Sequence, residues 1–379
     1  MWIVVGAVAA CLWLAVILVP WRPWSTREHL EAEERDAPRV DLDGIGALVP
    51  ARNEAVLIGT TVAALAQQGT GLRILVIDDQ STDDTALHAQ RAGAEILSSA
   101  PLPEGWTGKL WALEQGYRRT TTPYLLLLDA DILLAPGTVR ALRAQLELSG
   151  AQLVSLMATP RLGSFWERLL LPTYVYFFKL LYPFRLANGP SPHFAAAAGG
   201  CVLLERRVLE EIGGFAALRG ALIDDCTLAR RAKQSGFRTW IGLTHAARSL
   251  RESARLHDIW DMVARTAYTQ LHYSSFWLGA CTLLMLLAFA VPVAGLLAPE
   301  PVGRALTGAA LVFLCLSYVP LLRYYGLSAL RAPTLPLVAG LFLAMTWSSA
   351  LRYWRGTRSA WKGRVYARGR NPASMSGVD

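Results

Sequence analysis

Cysteine is scarce in this chain, and where it occurs it forms no recognisable site. There are five cysteines among 379 residues. Cys11, Cys281 and Cys315 fall within long apolar stretches, and only Cys201 and Cys226 fall between those stretches. No pair has the spacing of a disulfide framework or of a zinc site, which indicates a reducing compartment. The six histidines do not cluster with the acidic residues either.

Charged residues are also few, at 17% of the chain, whereas 53% of the residues are hydrophobic. The mean hydropathy of +0.31 is high for a soluble protein, so we expect membrane segments. Four stretches are each close to the roughly 20 residues that cross a bilayer, and they lie at 2–20, 276–298, 305–322 and 332–351. None of them holds an acidic or basic residue, which argues against a transporter with a substrate pathway through these helices.

The charged residues concentrate in a block of about 255 residues after the first apolar stretch, which is the size of one α/β domain. The first stretch has no basic residue before it and no small-residue cleavage pattern after it, so we interpret it as an anchor rather than a cleaved signal peptide. The predicted domains are a membrane anchor at 1–21, an α/β domain at 22–275, membrane helices at 276–351 and a basic tail at 352–379.

The basic residues give conflicting predictions of topology. Arg22 and Arg27 follow the first stretch, so the positive-inside rule places the N-terminus outside and the domain in the cytoplasm. Four crossings would return the C-terminus to the outside, yet the tail is rich in basic residues, namely Arg352, Arg355, Arg358, Lys362, Arg364, Arg368 and Arg370. We expect a cytoplasmic tail, with one C-terminal segment re-entrant or in the interface because Pro320, Pro333 and Pro336 interrupt the helices.

The net charge of +8 raises the question of nucleic acid as a partner. The excess lies in the tail and beside the apolar stretches, and the domain has no stripe of basic and aromatic residues. Anionic lipid headgroups are therefore the expected partner, and nucleic acid is not.

Three apolar runs in the domain end in polar side chains. The runs at 45–50, 74–77 and 124–128 are typical of strands buried on both faces of a parallel sheet. They are followed by "ARNE" at 51–54, by Asp78 and Asp79, and by "DAD" at 129–131. Ligands of open α/β sheets bind at this edge. Two carboxylates about 4 Å apart repel by roughly 4 kcal/mol at an effective dielectric near 20, so we expect a cation beside them.

Gly108 and Lys109 precede a helical pattern that begins near Leu110. Exposed backbone amides at a helix N-terminus and one mobile positive charge suit a phosphate group. Combined with the acids at the strand ends, this favours a nucleoside diphosphate held with a divalent metal, Mg²⁺ or Mn²⁺, because such ions prefer oxygen ligands.

As a set, these segments resemble a family 2 glycosyltransferase of the GT-A fold, which is α/β with a mostly parallel sheet. The similar segments are "VPARNEA", "VIDDQSTDDT", "LLDADI", "IGGF" at 212–215 and "IDDCTLARR" at 223–231, within residues 44 to 270. The segments "WTGKLWALEQG", "AAAAGGCVLLERR", "RTAYTQLHYS" and "WKGRVY" are most similar to bacterial hopene-associated glycosyltransferases, and ceramide glucosyltransferases are more distant relatives.

The resemblance implies an inverting hexosyltransferase of the bacterial inner membrane, with its domain in the cytoplasm, that moves a sugar from a UDP-sugar or similar donor to a lipid such as a hopanoid. Asp225 would be the general base and Asp224 would orient it. Asp131 would be the direct metal ligand, with Asp129 completing the DxD element. The implied donor-binding residues are Pro50, Arg52, Glu54, Asp78, Asp79, Lys109, Asp129, Asp131 and Arg265.

The acceptor side departs from the family pattern, because the Q-x-x-R-W element of many membrane members is absent. Arg265 in its place would contact the diphosphate, or would be an ordinary solvated helix charge. Gln270 and His193 would approach the acceptor, although His193 is also explained as a structural histidine. Gly199 and Gly200 would let the acceptor come close to the backbone, and tight packing would explain them equally.

Residues 165–186 are aromatic and apolar but carry three basic residues and Pro172, so they are not expected to span the membrane. We predict an interfacial helix, with a buried core helix as the alternative. Two other functions remain open. One is a polysaccharide synthase, and the other is a noncatalytic membrane scaffold that binds nucleotide.

Overall fold

The structure is a computed structural model, and it describes residues 1–32, 41–221, 223–361 and 364–367. The strands are β1 Ile45–Ala51, β2 Arg73–Asp78, β3 Glu95–Ser98, β4 Tyr124–Leu128, β5 Ile132–Leu134, β6 Leu153–Thr159, β7 Cys201–Glu205, β8 Thr239–Ser249, β9 Thr357–Trp361 and β10 Arg364–Ala367. The helices are α1 Trp2–Leu18, α2 Ile58–Ala66, α3 Thr85–Arg91, α4 Gly108–Arg119, α5 Thr138–Ser149, α6 Phe165–Leu181, α7 Phe184–Ala187, α8 Arg206–Ile212, α9 Asp224–Gln234, α10 Leu256–Ala264, α11 Ala267–Gln270, α12 Ser275–Met285, α13 Val291–Ala294, α14 Pro301–Tyr324 and α15 Leu335–Trp354.

Strands β1 to β8 form one sheet in the order β3-β2-β1-β4-β7-β6-β8-β5. The pairs β1–β2, β1–β4, β2–β3 and β6–β8 are parallel, whereas β4–β7, β6–β7 and β5–β8 are antiparallel. All seven residues of β1 are buried, as expected for a strand covered on both faces. The predicted α/β class with a mostly parallel sheet is confirmed.

The predicted positions of the strand ends agree with the structure. The runs predicted at 45–50, 74–77 and 124–128 are β1, β2 and β4, and the helix expected near Leu110 begins at Gly108. Because β1, β2 and β4 are adjacent and parallel, their carboxyl ends meet at one edge of the sheet.

In the part of the chain that the structure describes, three helical segments are long and apolar enough to cross a membrane, at Ser275–Leu297, Pro301–Tyr324 and Ala329–Trp354. The apolar helix α1 is shorter, with 17 residues, and it packs along α14. The indole nitrogen of Trp13 donates to the carbonyl of Ala288 at 2.7 Å, which ties α1 to the segment that follows α12. These helices support the predicted association with a membrane. Within the predicted basic tail, residues 362–363 and 368–379 lie outside the described residues.

Helix α6, at the predicted interfacial segment, joins the domain to the membrane helices. Thr173 Oγ1 and Tyr318 OH lie 2.9 Å apart, and Tyr176 OH and Ser317 Oγ lie 2.5 Å apart. The exposed large residues of α6 are Phe165, Tyr174 and Leu181. The helix is otherwise largely buried, as in the alternative interpretation, and its depth relative to a bilayer stays a prediction.

The close packing of α1 on α14 can be tested by enlarging a small residue at their contact. A Cβ added at Gly6 would lie 3.0 Å from Thr307 Cγ2 and 3.3 Å from Leu306 Cβ. We expect Gly6→Leu to destabilise the protein by about 1–3 kcal/mol, because the larger side chain forces the helices apart. Thermal unfolding in detergent measures the effect. Gly340→Leu on α15 is the matched control, since nothing lies within 4 Å of its Cβ position. Equal melting temperatures for both variants would contradict the packing described.

Candidate active site

An ammonium group and several carboxylates meet at the predicted edge of the sheet. Lys109, in the first turn of α4, has its Nζ 2.7 Å from Asp129 Oδ1 and 3.9 Å from Asp224 Oδ2. Its Nζ also donates to the carbonyl of Gly199 at 3.3 Å. Asp129 follows β4, and Asp224 begins α9, so the tertiary fold brings together residues that are far apart in sequence.

Burial and neighbouring charges shift the pKa values of the groups in this cluster. Burial acts to lower the pKa of Lys109, but Asp129, Asp224 and Asp225 outweigh it, and the net pKa is raised. Lys109 therefore stays cationic at neutral pH. Burial raises the pKa of Asp129, and the nearby Asp131 adds to this, while Lys109 opposes it. The expected cation beside the DxD acids is therefore present as Lys109.

A second cation, Arg251, holds Asp131. Arg251 Nη2 lies 2.5 Å from Glu54 Oε1, and its Nε lies 3.1 Å from Asp131 Oδ2. Ser249 Oγ donates to the same oxygen of Asp131 at 3.2 Å. The sequence interpretation missed Arg251, although the repulsion expected between neighbouring acids called for a further positive charge. The available signal was an arginine in "SLRES", directly after the long apolar strand β8.

Asp225 lies in the first turn of α9, with both carboxylate oxygens bonded to backbone amides. The N–H of Gly199 donates to Oδ2 and the N–H of Cys226 donates to Oδ1, each at 2.7 Å. Burial, and then repulsion by Asp224, raise the pKa of Asp225 to about 6, against the lowering effects of Lys109 and the two amides. A carboxylate with this pKa is poised to accept a proton near neutral pH.

Gly199 permits this close arrangement, because a Cβ there would lie 3.2 Å from Asp225 Oδ2 and 3.3 Å from Lys109 Nζ. At Gly200 the nearest atom would be Ile132 Cδ1 at 3.4 Å, which is an ordinary contact. Of the two glycines, only Gly199 is required by the geometry of the acid cluster.

The predicted residues divide between two adjoining cavities. The larger has a volume of about 830 Å³, and its lining includes Pro50, Arg52, Glu54, Lys109, Asp129, Asp131, Tyr174, Asp224, Arg251 and Arg265. The smaller has a volume of about 20 Å³ and is lined in part by Lys109, Gly199, Asp224 and Asp225. Asp224 thus lines both cavities, while Asp225 lines the smaller one.

Asp78 and Asp79 lie at the next strand end, beyond the residues that line the larger cavity. Arg52 Nη1 donates to the carbonyl of Asp79 at 2.5 Å and to that of Gln80 at 3.1 Å, so it joins the ends of β1 and β2. The Asp78 carboxylate oxygen Oδ1 is buried and has no hydrogen-bond partner among the described residues. A buried acceptor of this kind is costly unless a ligand supplies a donor.

Two predicted acceptor residues lie apart from the larger cavity. His193 is exposed, and Gln270 Oε1 accepts a hydrogen bond from Tyr182 at 2.8 Å. Their proposed roles stay predictions. Tyr174, which the sequence interpretation missed, does line the cavity. Partial desolvation in the cavity wall and the charge of Asp225 raise the pKa of Tyr174 to about 12, and Arg265 opposes the shift.

Within the described part of the chain, no group of three or more His, Cys, Asp or Glu side chains could hold a metal ion. Mg²⁺ is usually bound by one or two carboxylates together with substrate phosphates rather than by a closed protein cage. Asp129 and Asp131, two residues apart on the lining of the larger cavity, provide two such carboxylates. The residues therefore fit a divalent metal that is completed by a phosphate-bearing ligand.

Comparisons with known proteins agree with this architecture. The family described as Glycosyl transferase family 2 matches residues 47–213. The 4,4'-diaponeurosporenoate glycosyltransferase of Staphylococcus aureus is 35% identical over 105 residues, which are 27% of this chain and 28% of that protein. An uncharacterised glycosyltransferase of Mycobacterium bovis is 35% identical over 124 residues, which are 33% of this chain and 53% of that protein. The chain therefore spans from about a quarter to about half of the length of these relatives.

Among solved structures, a mannosyltransferase from Pyrobaculum calidifontis, in complex with GDP-Man and Mn²⁺, has a similar fold. Its TM-score is 0.51 at 18% identity, and the match covers 90% of this chain and 98% of that one. This likeness concerns the fold, and the sequence match concerns the family. Residues 47–213 are therefore similar to glycosyl transferase family 2, and the likeness to the solved structure concerns the fold alone.

Proposed function

We propose that the protein is an inverting glycosyltransferase of the bacterial inner membrane, with its catalytic domain in the cytoplasm. It would move a sugar from a nucleotide-sugar donor, a UDP-sugar by first choice, to the hydroxyl of a lipid such as a hopanoid. The observation that carries the proposal is the meeting of Lys109, the DxD acids and the pair Asp224 and Asp225 around adjoining cavities. Similarity to a 4,4'-diaponeurosporenoate glycosyltransferase supports an apolar lipid acceptor.

The donor's nucleoside would occupy the ends of β1 and β2. A ribose hydroxyl or a uracil N–H would give Asp78 Oδ1 the hydrogen bond that the described residues do not supply. Asp79 would share this contact, and Arg52 keeps the two strand ends together. Pro50 and Glu54 line the adjoining part of the larger cavity, where the diphosphate would lie.

The diphosphate would be held by cations. A bound Mn²⁺ or Mg²⁺, on Asp131 directly and on Asp129, would neutralise charge on the departing diphosphate. Lys109 remains charged and stands at the N-terminus of α4, where backbone amides also favour an anion. Arg265 lines the same cavity and is the proposed further contact of the diphosphate. Such fixed charges stabilise the transition state because they need no reorganisation as the bond breaks.

Asp225 would take the proton of the acceptor hydroxyl. As the acceptor oxygen bonds to the anomeric carbon, the bond from that carbon to the phosphate oxygen breaks, the proton passes to Asp225, and the nucleoside diphosphate leaves. The backbone bonds from Gly199 and Cys226 fix the orientation of the base. Asp224 would orient the base and tune it by its charge. Gly200 and His193, on the loop before β7, and Gln270, at the end of α11, are proposed to approach the acceptor.

The substitution Asp225→Asn tests whether Asp225 is the general base. We expect Asp225→Asn to reduce transfer of radiolabelled sugar to a native lipid extract by at least about 100-fold, because an amide cannot accept the proton. Nucleotide affinity, measured by calorimetry, should stay unchanged. Asp224→Asn is the matched comparison and should cost less activity. A greater loss in Asp224→Asn would transfer the role of base to Asp224, which faces the larger cavity.

The same assay separates the alternative functions. A polysaccharide synthase would place the label in a polymer rather than in extractable lipid. A noncatalytic scaffold would bind nucleotide and release no UDP in the presence of Mn²⁺.

The raised pKa of Asp225 predicts a pH profile. The base works only when it is deprotonated, so kcat/KM should rise about tenfold per pH unit below pH 6 and level off above it. A profile that is flat between pH 5 and pH 7 would contradict an acid of this pKa in the reaction.

Arg251 gives a test of the donor site. Removing it leaves Glu54 and Asp131 without their shared counter-charge, so Arg251→Ala should raise the KM for the donor about tenfold, which corresponds to about 1.4 kcal/mol. Arg248→Ala is the control and should leave KM unchanged, because Arg248 is an exposed arginine near the end of β8 whose Nε donates to the carbonyl of His245. Equal KM values for both variants would show that Arg251 does not position the acids.

A further inference from the structure

Helix α15 is long and apolar enough to span a membrane. Its contacts with the rest of the protein, however, are not those expected of a helix that crosses the bilayer. The apolar segment that includes it, Ala329–Trp354, has 26 residues, and a straight helix of 20 residues is about 30 Å long. That length equals the hydrocarbon thickness of a typical bilayer. A spanning helix must therefore have its two ends on opposite faces of the membrane.

The N-terminal end of α15 lies beside the catalytic domain. The preceding helix, α14, ends at Tyr324, whose carbonyl lies 2.9 Å from His245 Nε2 on β8 and whose ring stacks on that histidine at 4.2 Å. The turn from α14 to α15 packs back on the end of α14. Leu335, the first residue of α15, belongs to an apolar cluster that includes Phe184 and Ala187 of the domain.

The C-terminal end of α15 also lies beside the domain. Arg352 Nη2 donates to Asp261 Oδ1 on α10 at 2.6 Å. Ser349 Oγ accepts the backbone N–H of Tyr268 on α11 at 3.1 Å. Both α10 and α11 precede the first C-terminal membrane helix, and Asp261 lines the larger cavity. The two ends of α15 are therefore held by parts of one domain, on one side of the bundle.

The two faces of α15 have different surroundings. Its buried positions face α6 and α10, where Val338, Phe342 and Met345 cluster with Leu170 and Ile259. Six exposed positions recur every three or four residues on the opposite face and are uncharged, namely Leu337, Gly340, Ala344, Trp347, Leu351 and Trp354. The charged residue Arg352 is also exposed, at the C-terminal end of the helix, and pairs with Asp261. An apolar face with tryptophans, opposite a face packed on a polar domain, is typical of a helix lying in a membrane interface.

We propose that α15 lies in the plane of the membrane leaflet nearest the catalytic domain, with its exposed face against the acyl chains, and does not cross the bilayer. Three crossings then remain, formed by α1, by the segment Ser275–Leu297 and by α14. Arg22, Arg323, Arg331 and Arg355 then fall on the side of the domain, whereas Arg304, at the start of α14, falls on the other side. The excess of basic residues near the crossings therefore lies on the domain side, as the positive-inside rule requires. This removes the conflict in the sequence. The inference does not depend on the proposed reaction.

The arrangement also gives α15 a place beneath the acceptor region. It packs against α6 and α10, and these helices contribute Leu171 and Met262 to the larger cavity. A lipid that enters the cavity from the leaflet would therefore pass along α15, between the acyl layer and the acid cluster.

Labelling with a membrane-impermeant maleimide tests the topology in sealed inside-out and right-side-out vesicles. Single cysteines are placed by Ala144→Cys in the domain, Ser328→Cys before α15, Arg355→Cys after it, and Pro299→Cys between the first two C-terminal crossings. The parent chain sets the background, because its cysteines lie in membrane helices or are buried in the domain. Labelling after addition of detergent shows that each thiol is reactive.

We expect Ala144→Cys, Ser328→Cys and Arg355→Cys to react from one side and Pro299→Cys from the other. Reaction of Arg355→Cys from the side of Pro299→Cys would show that α15 crosses and would overturn the proposal.

Depth measurements give a second, independent test. Spin labels at Leu337→Cys, Ala344→Cys and Leu351→Cys lie on one face of the helix at intervals of seven residues. An in-plane helix predicts equal depths for the three labels. A crossing helix predicts steps of about 10 Å between neighbouring labels, from a rise of 1.5 Å per residue, and such steps would refute the proposal.

Discussion

The rest of the site depends on the ion pairs that the Lys109 ammonium makes with neighbouring carboxylates. Asp129 and Asp224 come from separate elements and are buried or half-buried, and the desolvation of like charges would keep them apart without a shared counter-ion. Lys109 also donates a hydrogen bond to the carbonyl of Gly199, and the backbone N–H of Gly199 donates one to Asp225. One cation thus links the end of β4, the loop before β7 and the first turn of α9. Arg251 performs the equivalent function for Glu54 and Asp131.

The sequence predicted those parts of the site that follow from local patterns. Continuous apolar runs identify buried parallel strands, and adjacent parallel strands bring their final residues to one edge, so Asp78, Asp129 and Lys109 could be found in advance. Arg251 could not be found in this way, because it is 120 residues from Asp131. The two meet only because β8 pairs with β5 in the tertiary structure. The position of Asp224 on both cavities, and of Asp225 on the smaller one, likewise depends on the orientation of α9.

Helix α6 shows why charge alone is a weak guide to burial. Its basic residues favoured an exposed, interfacial helix, yet Lys179 is only 2% exposed. Its ammonium lies 3.8 Å from the centroid of the Phe184 ring, and burial lowers its pKa to about 8. An aromatic face compensates part of the desolvation of the cation. The length of α15 is likewise a weak guide to its topology. A helix of this length can cross a bilayer, but the contacts at its two ends determine whether it does.

The glycine at position 199 sets a limit on how this protein can vary. The space beside its α-carbon is taken up by the Asp225 carboxylate and the Lys109 ammonium. Even the methyl group of alanine would displace one of them by some tenths of an ångström, and catalytic groups tolerate misplacement of only about 0.5 Å. A side chain at position 199 would therefore require the Asp225 carboxylate or the Lys109 ammonium to shift, whereas Gly200, one residue further on, has room for a Cβ at ordinary contact distance.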